Sequence, residues 1–175
     1  VAYQMEAAKR NGWEYLDMNA PMVALNAKGQ EKDPAFTLCG SDRIHPDNDG
    51  HMVMAYLFLK AQGMAGKPVA KMEVNAGKKS VVAAENCTIS NVKKVGRSLT
   101  FDYKAESLPY PMDTVPRGWG YRRTQAMAAD VVPFYEEMNQ EILKVTGLSG
   151  NYKLLIDGEE IGVWTGKQLA EGINL

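Results

Sequence analysis

A change of pattern at Lys67-Pro68 constrains the fold of this chain more than any other feature. Before this point, apolar residues recur at helical spacing and the runs end on Gly or Asn-Gly, which are helix-stop signals. After it, runs of strand length alternate with turns rich in Gly, Asn and Lys. The sequence therefore predicts an α/β protein with two regions, 1–66 and 67–175.

The first region is predicted to run from helix to strand and back to helix. A short amphipathic helix ends at Asn11-Gly12, and the aromatic-rich stretch Trp13–Asn19 has the length of a strand. A further helical turn or two follows in "APMVALNA". The segment from Gly50 to Gly63 is apolar on nearly all sides, which predicts a well-buried helix.

The second region is predicted to be mostly antiparallel strands with one helical segment. The helical segment, "YRRTQAMAADVVPFYEEMNQ", should be interrupted by Pro133, and the proline-rich stretch before it should be an irregular loop. Asp157-Gly158 lies between two alternating runs and is a type I′ turn signal, so a hairpin is predicted there. A short helix should end the chain at Gly172.

Composition excludes several functional classes. The 175 residues carry 20 basic and 21 acidic side chains, so no overall field would gather nucleic acid or an anionic membrane surface. No apolar run is long enough to span a membrane. Cys39 and Cys87 have no CxxC spacing, so neither a zinc site nor a disulfide framework is indicated.

The stretch "CGSDRIHPDNDGH", from Cys39 to His51, contains the titratable groups most relevant to chemistry. As a calcium loop it would place Tyr56 where glutamate is needed, and as a zinc site its two histidines lack a third ligand. A phosphate loop would need a glycine-rich run before the helix, and Gly50 alone does not supply one. No metal and no cofactor is predicted, which leaves acid–base chemistry or a simple solvated turn.

Asp42 and His45 are spaced so that a carboxylate can contact an imidazole within one loop. In a catalytic triad the carboxylate accepts a hydrogen bond from one ring nitrogen, while the other nitrogen takes the proton of a serine. Asp47, Asn48 or Asp49 could cap the helix that follows. Spacing alone favours the simpler interpretation, a solvated loop whose histidine merely packs or caps.

The stretch "DRIHPDNDGHMVMAYLF" resembles the final block of the SGNH hydrolases, also called GDSL-like lipases or acylhydrolases. The resemblance implies that Asp42 is the triad aspartate and His45 the general base. It also implies that residues 1–66 are the C-terminal part of a flavodoxin-like fold, a parallel sheet with helices, followed by a small antiparallel β-rich unit. The C-terminal stretch from Leu143 is similar to the extra C-terminal region that a bacterial subgroup of these hydrolases carries.

In that family the nucleophilic serine lies in a Gly-Asp-Ser motif, and two further blocks supply the oxyanion-hole residues. None of these blocks is present in this sequence. Ser41 adjoins the triad aspartate and is not expected to replace the nucleophile. The chain is therefore expected to be the C-terminal portion of a longer esterase, nearly inactive without its missing N-terminal half. The alternative is a non-catalytic, β-rich binding or accessory module.

The expected substrate is a small-molecule or carbohydrate ester. Arg117 and Trp119, in the proline-rich loop, are candidate substrate-binding residues, together with the nearby Tyr121, Arg122 and Arg123. The resemblance is compatible with a periplasmic or secreted location, although the sequence given contains no signal peptide.

Overall fold

The chain forms two compact units, described here from a computed structural model that covers residues 2–118 and 122–175. The first unit comprises Val1–Ala65 and Pro111–Phe134, and the second comprises Gly66–Tyr110 and Tyr135–Leu175. The first junction falls where the sequence pattern changes. Residues 111–134 follow the predicted boundary in the sequence but belong to the first unit.

The first unit is helical in its described part. Its elements are α1 (Ala2–Asn11), α2 (Asn19–Gln30), α3 (Asn48–Ala61) and a 3-10 helix at Gln125–Asp130. The 3-10 helix packs against α3, whose Met52, Val53 and Tyr56 are buried. The second half of α3 is more open, since Phe58 is 50% exposed. Burial on nearly all sides was therefore predicted correctly only for the first half of this helix.

The strand predicted at Trp13–Asn19, as the end of a parallel sheet, is wrong. Residues 13–18 adopt no regular structure, and all strands of the described residues lie in the second unit. A strand obtains its backbone hydrogen bonds from a neighbour, and no described segment pairs with this one. Instead, Asp17 Oδ1 accepts hydrogen bonds from the backbone N–H groups of Asn19 and Ala20, at 2.8 and 3.2 Å, where α2 begins.

The second unit contains a four-stranded sheet and two hairpins. The sheet has the order β2-β1-β5-β8, and the hairpins are β3-β4 and β6-β7. The strands are β1 (Ala70–Asn75), β2 (Ser80–Glu85), β3 (Cys87–Val95), β4 (Ser98–Ala105), β5 (Glu141–Thr146), β6 (Asn151–Ile156), β7 (Glu159–Thr165) and β8 (Ile173–Asn174). Two short helices, α4 (Phe134–Glu137) and α5 (Gly166–Glu171), complete the elements.

The core of the second unit follows from the alternation of side chains along β1 and β5. Ala70, Met72 and Val74 of β1 are buried at every second position, as are Leu143 and Val145 of β5. These two strands are parallel, with Met72 opposite Leu143, so the unit is mixed rather than purely antiparallel. Parallel neighbours require a long crossover connection, and residues 76–140 supply it.

Several local predictions are confirmed. The β6-β7 hairpin turns at Asp157 and Gly158, whose φ angles of 51° and 91° are both positive, as a type I′ turn requires. Pro133 separates the 3-10 helix from α4, because proline cannot donate the hydrogen bond that a continuous helix would need. Among the helices that the structure describes, none has the length and apolar character to cross a membrane.

Candidate functional site: the Asp42-His45 turn

The segment from Cys39 to Pro46 closes into a tight turn in front of α3. Cys39 and Pro46 form an isolated antiparallel bridge, and the backbone N–H of Gly40 donates to the carbonyl of His45 at 2.7 Å. Arg43 adopts a left-handed conformation with φ of 57°, uncommon for a residue with a Cβ, and its N–H donates to the carbonyl of Gly40. The turn therefore holds Asp42 and His45 on a fixed backbone.

Asp42 and His45 form the hydrogen bond that the sequence predicts. His45 Nδ1 lies 2.6 Å from Asp42 Oδ2, while Asp42 Oδ1 accepts from the backbone N–H groups of Ile44 and His45, at 2.9 and 3.1 Å. The bond from His45, reinforced by the two backbone donors, lowers the pKa of Asp42 to about 2 from an ordinary 3.8. The carboxyl is thus ionised at neutral pH.

The imidazole of His45 is oriented but accessible. An ionised Asp42 accepts a hydrogen bond from Nδ1–H, and this leaves Nε2 of the neutral ring as the nitrogen free to take a proton. The His45 side chain is 73% exposed. No hydrogen bond joins Ser41 to His45 in the described part of the chain. The arrangement therefore pairs an ordered carboxylate with an accessible imidazole.

The N-terminus of α3 is held close to the strand-like segment that precedes the turn. Asp47 is the N-cap, with Oδ1 accepting from the N–H of Asn48 at 2.7 Å, and its own N–H donates to the carbonyl of Leu38 at 2.9 Å. A Cβ on Gly50 would lie 2.0 Å from that carbonyl oxygen. Only glycine permits this approach, so the helix start and the histidine turn form one rigid piece.

The side chains of Asp47 and Asn48 also hydrogen-bond to the backbone of the segment around Arg122 and Arg123. Asp47 Oδ2 accepts from the backbone N–H groups of both arginines, at 3.2 and 3.3 Å. Asn48 Nδ2 donates to the carbonyls of Arg117 and Arg123, at 2.9 and 3.0 Å. These side chains thus satisfy backbone groups of a segment about 75 residues away in the sequence.

A buried ion pair completes this network. The Asp49 side chain is fully buried and accepts a hydrogen bond from Nε of Arg123, whose guanidinium also lies 4.8 Å from the centre of the Phe36 ring. Burial raises the pKa of Asp49, and the pairing with Arg123 opposes that rise. A buried carboxylate depends on such a partner, so Arg123 has a structural role in the first unit.

Arg117 is the next candidate from the sequence that the structure describes. The guanidinium of Arg117 is engaged by Asp113, with 2.6 Å between Nε and Oδ2. Trp119 and Tyr121 lie outside the described residues. Sequence reasoning missed the partnership of Asp47 and Asp49 with Arg122 and Arg123. The available signal was the charged "DND" at the start of an apolar helix, since a carboxylate facing a core needs a cation.

The structure also bears on metal binding. Within residues 2–118 and 122–175, no group of three or more His, Cys, Asp or Glu side chains is arranged to hold a metal ion. Cys39 and Cys87 are both free thiols. Burial raises the pKa of the Cys87 thiol, so it packs as an unreactive core residue of the second unit.

The titration of Asp42 gives the first test of this geometry. We expect its carboxyl to titrate with a pKa of about 2 and, in His45→Ala, to move upward toward 3.8 because the largest cause of the lowering is removed. The lowered pKa means that these hydrogen bonds stabilise the turn fully above pH 3.8 and are lost as the pH falls toward 2. Carboxyl carbon NMR shifts measure this directly. His51→Ala should leave the titration unchanged, and a value near 3.8 in the unsubstituted chain would contradict the paired geometry.

Comparison with known proteins adds one match. No protein-family model and no curated protein matches this chain. A solved structure, that of BT4096, a gut microbial diltiazem-metabolizing enzyme, is 68% identical and superimposes with a TM-score of 0.88 over 99% of this chain. The chain covers 39% of that enzyme's chain. Nearly the whole chain is therefore similar to about two fifths of a longer microbial enzyme.

Proposed function

We propose that this chain is the part of a serine esterase of the SGNH type that carries the triad aspartate and histidine. The observation that carries the proposal is the Asp42-His45 pair, an ionised carboxylate bonded to Nδ1 of an exposed imidazole at the start of a helix. The similarity to a drug-metabolizing enzyme supports it. Diltiazem carries an ester, which is the bond that this chemistry cleaves.

In the proposed reaction, a serine hydroxyl attacks the ester carbonyl while Nε2 of His45 takes its proton. The new C–O bond gives a tetrahedral intermediate, which collapses and expels the alcohol with the proton returned by His45. Water then attacks the acyl-serine, again losing its proton to Nε2, and the acid and the free serine are released. Asp42 holds the imidazole in the Nδ1–H tautomer and stabilises its protonated form in both steps.

The nucleophile and the oxyanion donors are proposed to lie elsewhere in a longer polypeptide. The sequence of this chain contains no Gly-Asp-Ser motif, and the similar enzyme is longer than the region matched. Each oxyanion donor contributes about 10²–10³-fold to such reactions, so residues 1–175 alone should turn over very little ester. The substrates proposed are small-molecule or carbohydrate esters.

A serine-directed fluorophosphonate probe tests this proposal on the full-length protein. We expect one serine to be labelled, outside residues 1–175, because only a serine activated by a base reacts readily with the probe. Peptide mass mapping locates the label. Ser41→Ala should not change the labelling, whereas His45→Ala should slow it strongly. Labelling of Ser41, or of no serine at all, would contradict the proposal, and the latter result would favour a binding module.

A further inference from the structure

The first unit contains an open cleft beside the Asp42-His45 turn. Its volume is about 330 Å³. The residues that line it include Ser41 and Arg43 of the turn, Phe36, Arg122 and Arg123. The lining is more polar than that of a usual apolar ligand pocket. Part of the turn that orients His45 thus forms one wall of the cleft.

The three arginines of the cleft differ in whether an acidic residue balances their charge. Arg123 is 24% exposed and its charge is balanced by the buried Asp49. Arg43 and Arg122 are exposed, and neither forms an ion pair with any residue that the structure describes. Two arginines therefore line one cleft without an ion-pair partner among the described residues.

The two acidic residues of the cleft, Asp33 and Asp47, accept hydrogen bonds from backbone N–H groups. Both oxygens of Asp47 accept backbone hydrogen bonds, Oδ1 from Asn48 and Oδ2 from Arg122 and Arg123. Asp33, on another wall, accepts the backbone N–H of Ala35 at 2.9 Å through Oδ1. Arg43 and Arg122 remain cations without an ion-pair partner among the described residues, and guanidinium groups bind carboxylate, sulfate or phosphate oxygens in a fork-like geometry.

Both guanidinium groups extend from anchored backbone. The N–H of Arg122 is bonded to Asp47 Oδ2, and the N–H of Arg43 is bonded to the carbonyl of Gly40 within the tight turn. Arg43 also retains its left-handed φ of 57°. A strained backbone that is held in place is common at binding sites, because it fixes the direction from which a side chain starts.

We propose that this cleft binds an oxyanion carried by the substrate, and that Arg43 and Arg122 are its ligands. The inference rests on the proposed esterase function and narrows its substrate class to esters that bear an acidic group, such as a carboxylate, near the scissile bond. Neutral esters of the same size remain substrates but lack this contact. Arg43 and Arg122 are specificity-determining residues, distinct from the Asp42-His45 pair.

The test compares two matched esters on the full-length protein. 4-Acetoxybenzoate carries the negative charge, and 4-acetoxybenzamide is its neutral counterpart. Arg43→Gln and Arg122→Gln should each raise the KM for the benzoate by about tenfold, as the loss of one charge-assisted hydrogen bond implies, with kcat unchanged. Neither variant should alter the KM for the benzamide. Arg10→Gln, at an exposed arginine of α1, is the control and should change neither.

Equal KM values for the two esters in the unsubstituted protein, or variants that affect both esters alike, would overturn the proposal. A calorimetric titration with benzoate and inorganic phosphate decides it without turnover. Benzoate binding that Arg122→Gln abolishes supports the cleft, whereas binding of neither anion, or of phosphate alone, overturns a substrate-borne carboxylate. If benzoate binds but His45→Ala still cleaves esters, it is the proposed mechanism that fails and the oxyanion cleft that stands.

Discussion

Ester hydrolysis by the full-length protein is expected to fall by about 10⁴-fold or more in the His45→Ala variant, because the serine loses the base that takes its proton. The remaining activity would come from substrate binding and the oxyanion donors alone. Initial rates on a simple aryl acetate, measured over a range of concentrations, give kcat and KM. The loss should appear in kcat, since the exposed imidazole takes part in proton transfer more than in ground-state binding.

Two further variants make the result specific. His51→Ala removes the other histidine of the chain, six positions along in α3, and should retain most of the activity. Asp42→Asn should lose on the order of 10²–10⁴-fold, since the amide no longer enforces the Nδ1–H tautomer of His45. Retention of full activity by His45→Ala, with an unchanged thermal unfolding midpoint, would remove the reason to regard the protein as a triad esterase.

The Arg123→Met variant is expected to lose about 3–5 kcal/mol of unfolding free energy, because it leaves the fully buried Asp49 as an uncompensated charge. Urea unfolding followed by circular dichroism measures this loss. The pKa of Asp49, already raised by burial, should rise further without Arg123. A raised folded-state pKa means that the folded protein binds the proton more tightly, so the deficit should shrink as the pH falls through that pKa.

Arg122→Met is the matched control, since Arg122 is exposed and its link to Asp47 runs through the backbone N–H that the substitution retains. It should change the unfolding free energy by less than about 0.5 kcal/mol. In the double variant Asp49→Asn/Arg123→Met, part of the loss should be recovered because the buried group is neutral. An Arg123→Met variant as stable as the unsubstituted protein at neutral pH would show that the ion pair contributes nothing.

Features determined by nearby residues were predictable from the sequence. The Asp42-His45 hydrogen bond spans three residues, and the turn at Asp157-Gly158 depends on two. Helix α3 follows from its own apolar spacing and its acidic cap, Asp47. In each case local geometry and local chemistry favour the same structure, so a short stretch of sequence is sufficient to predict it.

Features determined by distant partners were not predictable. The aromatic residues of Trp13–Asn19 favour a strand, yet no neighbouring strand is present in the described residues, and strand propensity alone forms no hydrogen bonds. The parallel pairing of β1 with β5 and the ion pair of Asp49 with Arg123 each join residues about 70 positions apart. Spacing within a short window carries no information about such pairs.

The chain passes through its two units alternately, and this has a consequence for folding during synthesis. Arg123 follows Asp49 by 74 residues, a delay of roughly 4–15 s at 5–20 residues per second. Over that interval the carboxylate of Asp49 has no partner and must stay hydrated. Likewise, β1 has no parallel neighbour until β5, which begins at Glu141, has been synthesised. A nascent chain that ends at Tyr110 therefore lacks part of each unit. Residues 111–175 contain the missing part of both.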